Sequence, residues 1–121
     1  MVGIALARAI AAGLCALGVG ALVAPRPLAR GYGIPAEDAV ALSYVRATGV
    51  RDLALGMTLG ALAFPESRAL LATAVGASAL VAATDYSLVT RMRPASLAAP
   101  LVHGAGTLAL LGLWVTLRAG K

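Results

Sequence analysis

The chain has 121 residues, of which 60% are hydrophobic and only 12% charged, with a mean hydropathy of +0.90. That is too little polar surface for a soluble domain of this length, so the composition indicates an all-α integral membrane protein. The net charge of +5 does not indicate nucleic-acid binding, because the basic residues lie at segment ends or inside apolar segments rather than along one soluble face.

Punctuation divides the chain into four apolar segments within a single domain, 1–121. They cover roughly residues 2–23, 39–64, 69–89 and 98–117, and stop at "APRP", "PES", "TRMRP" and "RAGK". Each has about 20 residues or more, enough to cross a hydrocarbon core of ~30 Å. The short connections make neighbours antiparallel. The expected fold is therefore a bundle of four antiparallel transmembrane helices, embedded in the bilayer of the cell membrane.

The first segment lacks basic residues ahead of its apolar run and is interrupted by Arg8, so it reads as a retained helix rather than a cleaved signal. The lone Cys15 excludes an internal disulfide and reads as a small packing residue. The longest connection is the loop "PRPLARGYGIPAED", whose Pro35, Glu37 and Asp38 resemble a helix start. In the second segment, Gly56 and Gly60 are spaced for close helix packing, and such small-residue faces offer a contact for a homo-oligomer. In the fourth, Trp114 reads as an interfacial anchor.

The side of the bundle shared by the first and third connections, side A, carries Arg26, Arg30, Arg91 and Arg93. Side B carries Arg68, Arg118 and Lys121. The positive-inside rule needs a larger asymmetry, so it assigns no orientation.

The second segment holds three charges within seven positions: Arg46, Arg51 and Asp52. At 1.5 Å per residue, Arg46 lies ~10 Å below side A, Asp85 ~8 Å and His103 ~8–10 Å below it. Arg51 and Asp52 lie deeper, at ~17–18 Å, close to mid-membrane. Arg8 lies near side B and is expected to snorkel there. On a helix of 3.6 residues per turn, Tyr44, Thr48, Arg51, Asp52 and Thr58 share about a third of the circumference, with Arg46 opposite. Ser78 aligns with Asp85. Ser96, His103, Thr107 and Trp114 align on the last helix. A bundle can turn these three polar stripes inward. Adjacent Arg51 and Asp52 are not expected to face each other. The expected partner of Arg51 is Asp85 on another helix.

A charge at the bilayer centre costs about 2.5–3.5 kcal/mol, so this set needs a structural or a chemical reason. Two carboxylates, arginines and a histidine in an apolar cavity can perform acid–base work on a lipophilic small molecule. Epoxide opening suits them: one acid protonates the ring oxygen while the other carboxylate directs a water. Isomerisation or cyclisation of a polyketide or terpenoid epoxide needs similar parts. In this reading Asp85, shallower and reached by water from side A, is the ionised base. Asp52 is the acid unless Arg51 turns back to it through a third group. His103 orients the water or relays a proton, and Arg51 holds the carboxylates. Arg46, Tyr44, Thr48 and Thr107 line the substrate's path. The second reading is a non-catalytic membrane module, a ligand-binding bundle or accessory subunit, with Arg51, Asp52 and Asp85 as a structural network. An apolar cavity leading to the charges favours the first; tight packing around a closed ion pair favours the second. The sequence has no metal-ligand spacing, nucleotide loop or serine-nucleophile motif, and implies no cofactor.

The runs "YGIPAED" and "YVRATGVRDLALG" resemble a family of small four-helix membrane proteins of unknown function, and more distantly the DoxX-like four-helix membrane proteins. The resemblance rests on a proline-ended first helix, Gly33-Ile34-Pro35 in the loop, and the core of Arg46, Gly49, Arg51 and Asp52. It implies the topology and no reaction.

Overall fold

The computed structural model describes residues 1–94 and 96–119, all of whose regular structure is helical. Lys121, assigned above to side B, lies outside the described residues. Five α-helices follow in order: α1 Val2–Val23, α2 Pro25–Tyr32, α3 Ala39–Leu62, α4 Arg68–Arg91 and α5 Ala98–Ala119. A 3₁₀ turn, Pro65–Ser67, precedes α4.

Helix α2 is a departure from the sequence reading, which treats its residues as loop. Proline ahead disfavours helix at Ala24, which takes φ −131°, so α1 stops. Pro25 then occupies the first helical position, where a missing N–H costs nothing. The new helix lasts eight residues and ends on Gly33 at φ 96°, a left-handed conformation suited to glycine. The Gly33 N–H donates to the Ala29 and Arg30 carbonyls. Only Pro25 and Ala29 are buried in α2, while Arg26 and Arg30 stay exposed.

Helix α3 begins at Ala39, where the sequence places the second segment's start, with Pro35 and Glu37 ahead of its first turn. Asp38 is its N-cap, and Oδ1 accepts from the Val40 and Ala41 N–H groups at 2.9 Å each. Glu37 instead pairs with Arg26 at 3.5 Å and Arg30 at 3.6 Å. Pro65 ends the run at the other side, with Phe64 extended before it.

Three spans are long and apolar enough to cross a membrane: Val2–Val23, Pro65–Arg91 and Ala98–Ala119. The chain is thus an all-helical membrane protein. Helix α3 has 24 residues, ample length, but carries Arg46, Arg51 and Asp52.

Helix α1 packs chiefly on α3, and α4 on α5. The α1–α3 contact is a close backbone approach. A Cβ built on Gly18 would lie 2.6 Å from the Gly49 carbonyl oxygen, one on Gly49 2.6 Å from the Ala21 Cβ, and one on Gly56 2.7 Å from the Ala11 carbonyl oxygen and the Cys15 Sγ. Gly60 is looser, at 3.8 Å from Ala11. Contacts therefore pair rising positions of α3 with falling positions of α1. The α4–α5 pair behaves alike: Arg68 meets Leu117, Gly76 meets Trp114, and Tyr86 meets Gly104.

Two basic residues at the lower end serve as helix caps. Arg8 donates from Nε and Nη2 to the Ala63 carbonyl at 3.1 and 2.9 Å, and stacks over Phe64. Arg68 donates to the Leu117 and Thr116 carbonyls at 2.9 and 2.8 Å. Both place positive charge on the negative end of a helix dipole. Arg8 thus has a bonding role at the end of α3 beyond snorkelling. Trp114 is half-buried, with its ring against Gly76 and under the Arg118 guanidinium.

The interior divides lengthwise. Ala7, Ala11, Leu59, Ala63, Leu71, Val75, Leu110, Leu113 and Leu117 form an apolar core at the side-B half. Of the buried polar residues, Ser78 lies between Val75 and Ala79 of that core, and Asp85 lies in the other half.

Candidate functional site: an arginine between two aspartates

Helices α3 and α4 make few contacts along their length. Arg51 joins them. Its Nη2 donates to Asp85 Oδ2 at 2.9 Å and its Nη1 to Asp85 Oδ1 at 3.3 Å. The same guanidinium turns back on its neighbour: Nε and Nη2 donate to Asp52 Oδ1 at 3.0 and 2.9 Å. The expectation that Arg51 and Asp52 do not face each other is therefore corrected. Adjacent Cβ atoms do diverge on a helix, but the long arginine side chain curls back across that gap.

The two carboxylates are held differently. Asp85 receives an end-on, two-oxygen grip. Asp52 receives both its bonds on Oδ1, and Oδ2 has no partner among the described residues. Among the described residues no buried polar side-chain atom lacks a partner, so Oδ2 is accessible rather than sealed. Arg51 is the most open member of the trio, with 35% of its side chain exposed, against 19% for Asp52 and 12% for Asp85.

Asp85 is buried, which corrects the expectation that water reaches it freely from side A. The cover there is α2. Tyr32, its last residue, accepts a hydrogen bond on its carbonyl oxygen from His103 Nε2 at 3.0 Å. The Tyr32 and His103 rings meet edge to face with centroids 4.4 Å apart. Burial first, and next the Asp85 carboxylate, hold the Tyr32 phenol above its ordinary ionisation range. His103 is half-buried and within electrostatic range of Asp52. Four helices thus bring five polar side chains together: Tyr32, Arg51, Asp52, Asp85 and His103.

The proposed substrate-lining residues fare less well. Tyr44 is 72% exposed. Arg46 is exposed too. Thr48 is half-buried. Thr107 is half-buried, but its hydroxyl is spent on the His103 carbonyl at 2.9 Å. Thr58, from the same stripe, is exposed and bonded to Ala54. Tyr32 was not singled out for chemistry from the sequence. Its one signal was its place at the end of a proline-started, glycine-ended run.

Two hollows of about 340 and 330 Å³ lie elsewhere. One is on the outer face of α4 around Thr84, Ser87 and Arg91; the other is an apolar groove between α1 and α5. Neither is lined by the trio. Among the described residues no cluster of His, Cys, Asp and Glu is arranged to hold a metal ion.

A family model described as a domain of unknown function, DUF4267, matches residues 11–117. The chain belongs to the DUF4267 family. The match spans every helix that supplies the trio and its cover, and Gly49 within it has the packing role described above. No curated protein and no solved structure matches the chain, and nothing in these findings bears on the DoxX-like resemblance.

Proposed function

We propose that this DUF4267 protein is a membrane-embedded enzyme that opens a lipophilic epoxide with water, using Asp52 as acid and Asp85 as base. The observation that carries the reading is that one guanidinium is shared between two carboxylates. One positive charge cannot balance two negative ones. In a low-dielectric interior, a net charge is costly and one added proton removes it. A trio with one proton holds an acid and a base together at rest. The free Oδ2 of Asp52 is the natural seat of that proton, and the end-on grip on Asp85 suits the ionised partner. Asp52 donates its proton to the ring oxygen as the carbon–oxygen bond breaks. Asp85 takes a proton from the attacking water as the new carbon–oxygen bond forms. The product is a vicinal diol, and return of the proton from Asp85 to Asp52 resets the site. Direct contact of Arg51 with Asp52 Oδ1 leaves this assignment open, because it uses only one of the two oxygens.

The reading includes four antiparallel transmembrane helices, α1, α3, α4 and α5. The opposed registers of α1 with α3 and of α4 with α5 support it, as does the partnering of the α3 charges within the bundle. The open flank of Arg51, between two tightly packed helix pairs, supports lateral entry of substrate from lipid. Polyketide or terpenoid epoxides have the required solubility.

A second reading, a non-catalytic module with a structural ion network, is favoured by one observation: the two hollows lie away from the trio. Purified protein in liposomes, given a lipophilic epoxide in ¹⁸O-enriched water, separates the two. Labelled diol supports the enzyme. Unchanged epoxide across a panel of such substrates supports the module.

A further inference from the structure

The serine and threonine hydroxyls of α4 follow one rule with one exception. Thr73, Ser78, Thr84 and Thr90 each donate to the carbonyl four residues earlier, at 2.9–3.1 Å. Such a hydroxyl is satisfied by its own helix and needs nothing from its surroundings. Ser87 makes no such bond, and its hydroxyl has no partner among the described residues. It is exposed and lies in the hollow of about 340 Å³ on the outer face of α4, with Thr84 and Arg91. Arg91 also has no carboxylate partner among the described residues, because the carboxylate of Glu37 is taken up by Arg26 and Arg30. An unpaired cation and an unspent hydroxyl thus share one hollow, on a span apolar enough to cross a membrane.

We infer that this face of α4 binds an anionic phospholipid of the side-A leaflet, with the phosphodiester on Arg91 and Ser87 and an acyl chain along Leu80. Leu80, Thr84, Ser87 and Arg91 lie within about a sixth of the helix circumference. From side A inward they read cation, hydroxyl, hydroxyl, leucine. Measured along the axis from Arg91, Ser87 lies ~6 Å, Thr84 ~10 Å and Leu80 ~16 Å deeper. A phospholipid presents the matching order from its surface inward: phosphate, ester oxygens, hydrocarbon. Leu80 is 71% exposed, open to a chain lying against it. On a helix the Cα–Cβ bonds tilt toward the N-terminus, which on α4 is into the membrane. Arg91 accordingly lines the same hollow as Thr84, nearly two turns below it. The guanidinium offers paired N–H donors to a phosphate, and Ser87 adds an O–H donor. Thr84 has spent its proton on the Leu80 carbonyl and contributes a polar wall rather than a bond. Arg93, exposed, follows two residues later, and two cations against one phosphate favour a headgroup of net negative charge. Asp85, the one carboxylate on α4, is buried and committed to Arg51, so it does not compete for Arg91. The enzymatic reading plays no part in this assignment.

The test is native mass spectrometry of the full chain in detergent, titrated with dioleoylphosphatidylglycerol to give the Kd of the first bound lipid. Arg91→Gln should weaken it about tenfold, the scale of a hydrogen bond to a charged group, and Ser87→Ala about threefold. Arg30→Gln removes the same charge from the same side of the protein but outside the hollow, and should leave the Kd in place. Dioleoylphosphatidylcholine should bind the unaltered chain more weakly. Equal losses at positions 30 and 91, no loss at 91, or equal binding of the two lipids overturns the inference. Displacement of the bound lipid by excess inorganic phosphate also overturns it, since that marks a site for a soluble anion. A second measurement needs no variant: a phosphatidylglycerol with a photoreactive diazirine on its acyl chain is cross-linked to the unaltered protein. Label concentrated on residues 80–91 is expected, and label spread evenly over α1, α4 and α5 overturns the assignment.

Discussion

Arg51 and Asp85, 34 positions apart in sequence, meet through two hydrogen bonds of 2.9 and 3.3 Å. They are the polar link between helices that otherwise touch little. Arg51→Ala strands two carboxylates, so it should destabilise strongly. Breaking a buried pair costs ~3–5 kcal/mol, and the partial exposure of Arg51 places the expected loss at the low end. Arg46→Ala, at an exposed site, should stay within ~0.5 kcal/mol. Arg51→Lys should recover only part of the loss, because an ammonium lacks the planar fork that grips two carboxylates. Thermal melts in one detergent check the ranking. Equal losses at positions 46 and 51 would contradict it.

The pairing of Arg51 with Asp85 was legible in the sequence because helix rise converts position into depth. Its return to Asp52 was not, because the neighbour rule describes Cβ directions and ignores the reach of a long side chain. Tyr32 and α2 were missed for a different reason: the eight residues, with Pro25 and Pro27 among them and Gly33 after them, carry the composition of a turn. Tyr44 shares a helical face with Arg51, yet it is 72% exposed. Angular alignment says which residues share a face, and not how far along the helix that face is covered. The four long helices were readable because each is ended by local chemistry, such as Pro25 and Pro65, that needs no tertiary information.

The α1–α3 crossing yields a prediction independent of the charges. Gly49→Ala and Gly56→Ala each put a methyl group on atoms already there, the Ala21 Cβ at 2.6 Å and the Ala11 carbonyl oxygen at 2.7 Å respectively. Overpacking of this kind costs ~1–3 kcal/mol. Gly13→Ala and Gly112→Ala meet no atom within 4 Å and should be neutral or slightly stabilising, by up to ~1 kcal/mol. Melting temperatures of the four variants decide it. A Gly49→Ala protein as stable as Gly13→Ala would mean that α1 and α3 do not approach so closely.

The start of α3 should respond to acid. Bonds from the Ala41 N–H first, and also from Val40, hold the Asp38 carboxyl below the ordinary aspartate range. A group whose folded value is depressed adds stability that is present above the unfolded value and is lost as pH falls through the folded one. Asp38→Ala should therefore lower the melting temperature at neutral pH. That deficit should shrink as the pH drops below about 4. Asp38→Asn keeps a capping oxygen at every pH and should show a smaller deficit. Melts across the acid range check both. A deficit for Asp38→Ala that is independent of pH would contradict the cap's titration.

The most direct test of the account is the rate of epoxide hydrolysis by protein reconstituted in liposomes, compared among the native chain, Asp52→Asn and Asp85→Asn at matched folded yield. Asparagine preserves shape and one acceptor oxygen while removing acid–base capacity. Removing a positioned acid or base lowers rates by ~10²–10⁴-fold. The account predicts diol formation by the native protein and a loss of that size in each variant. Full activity in both variants, or no turnover of any lipophilic epoxide by the native protein, would contradict it.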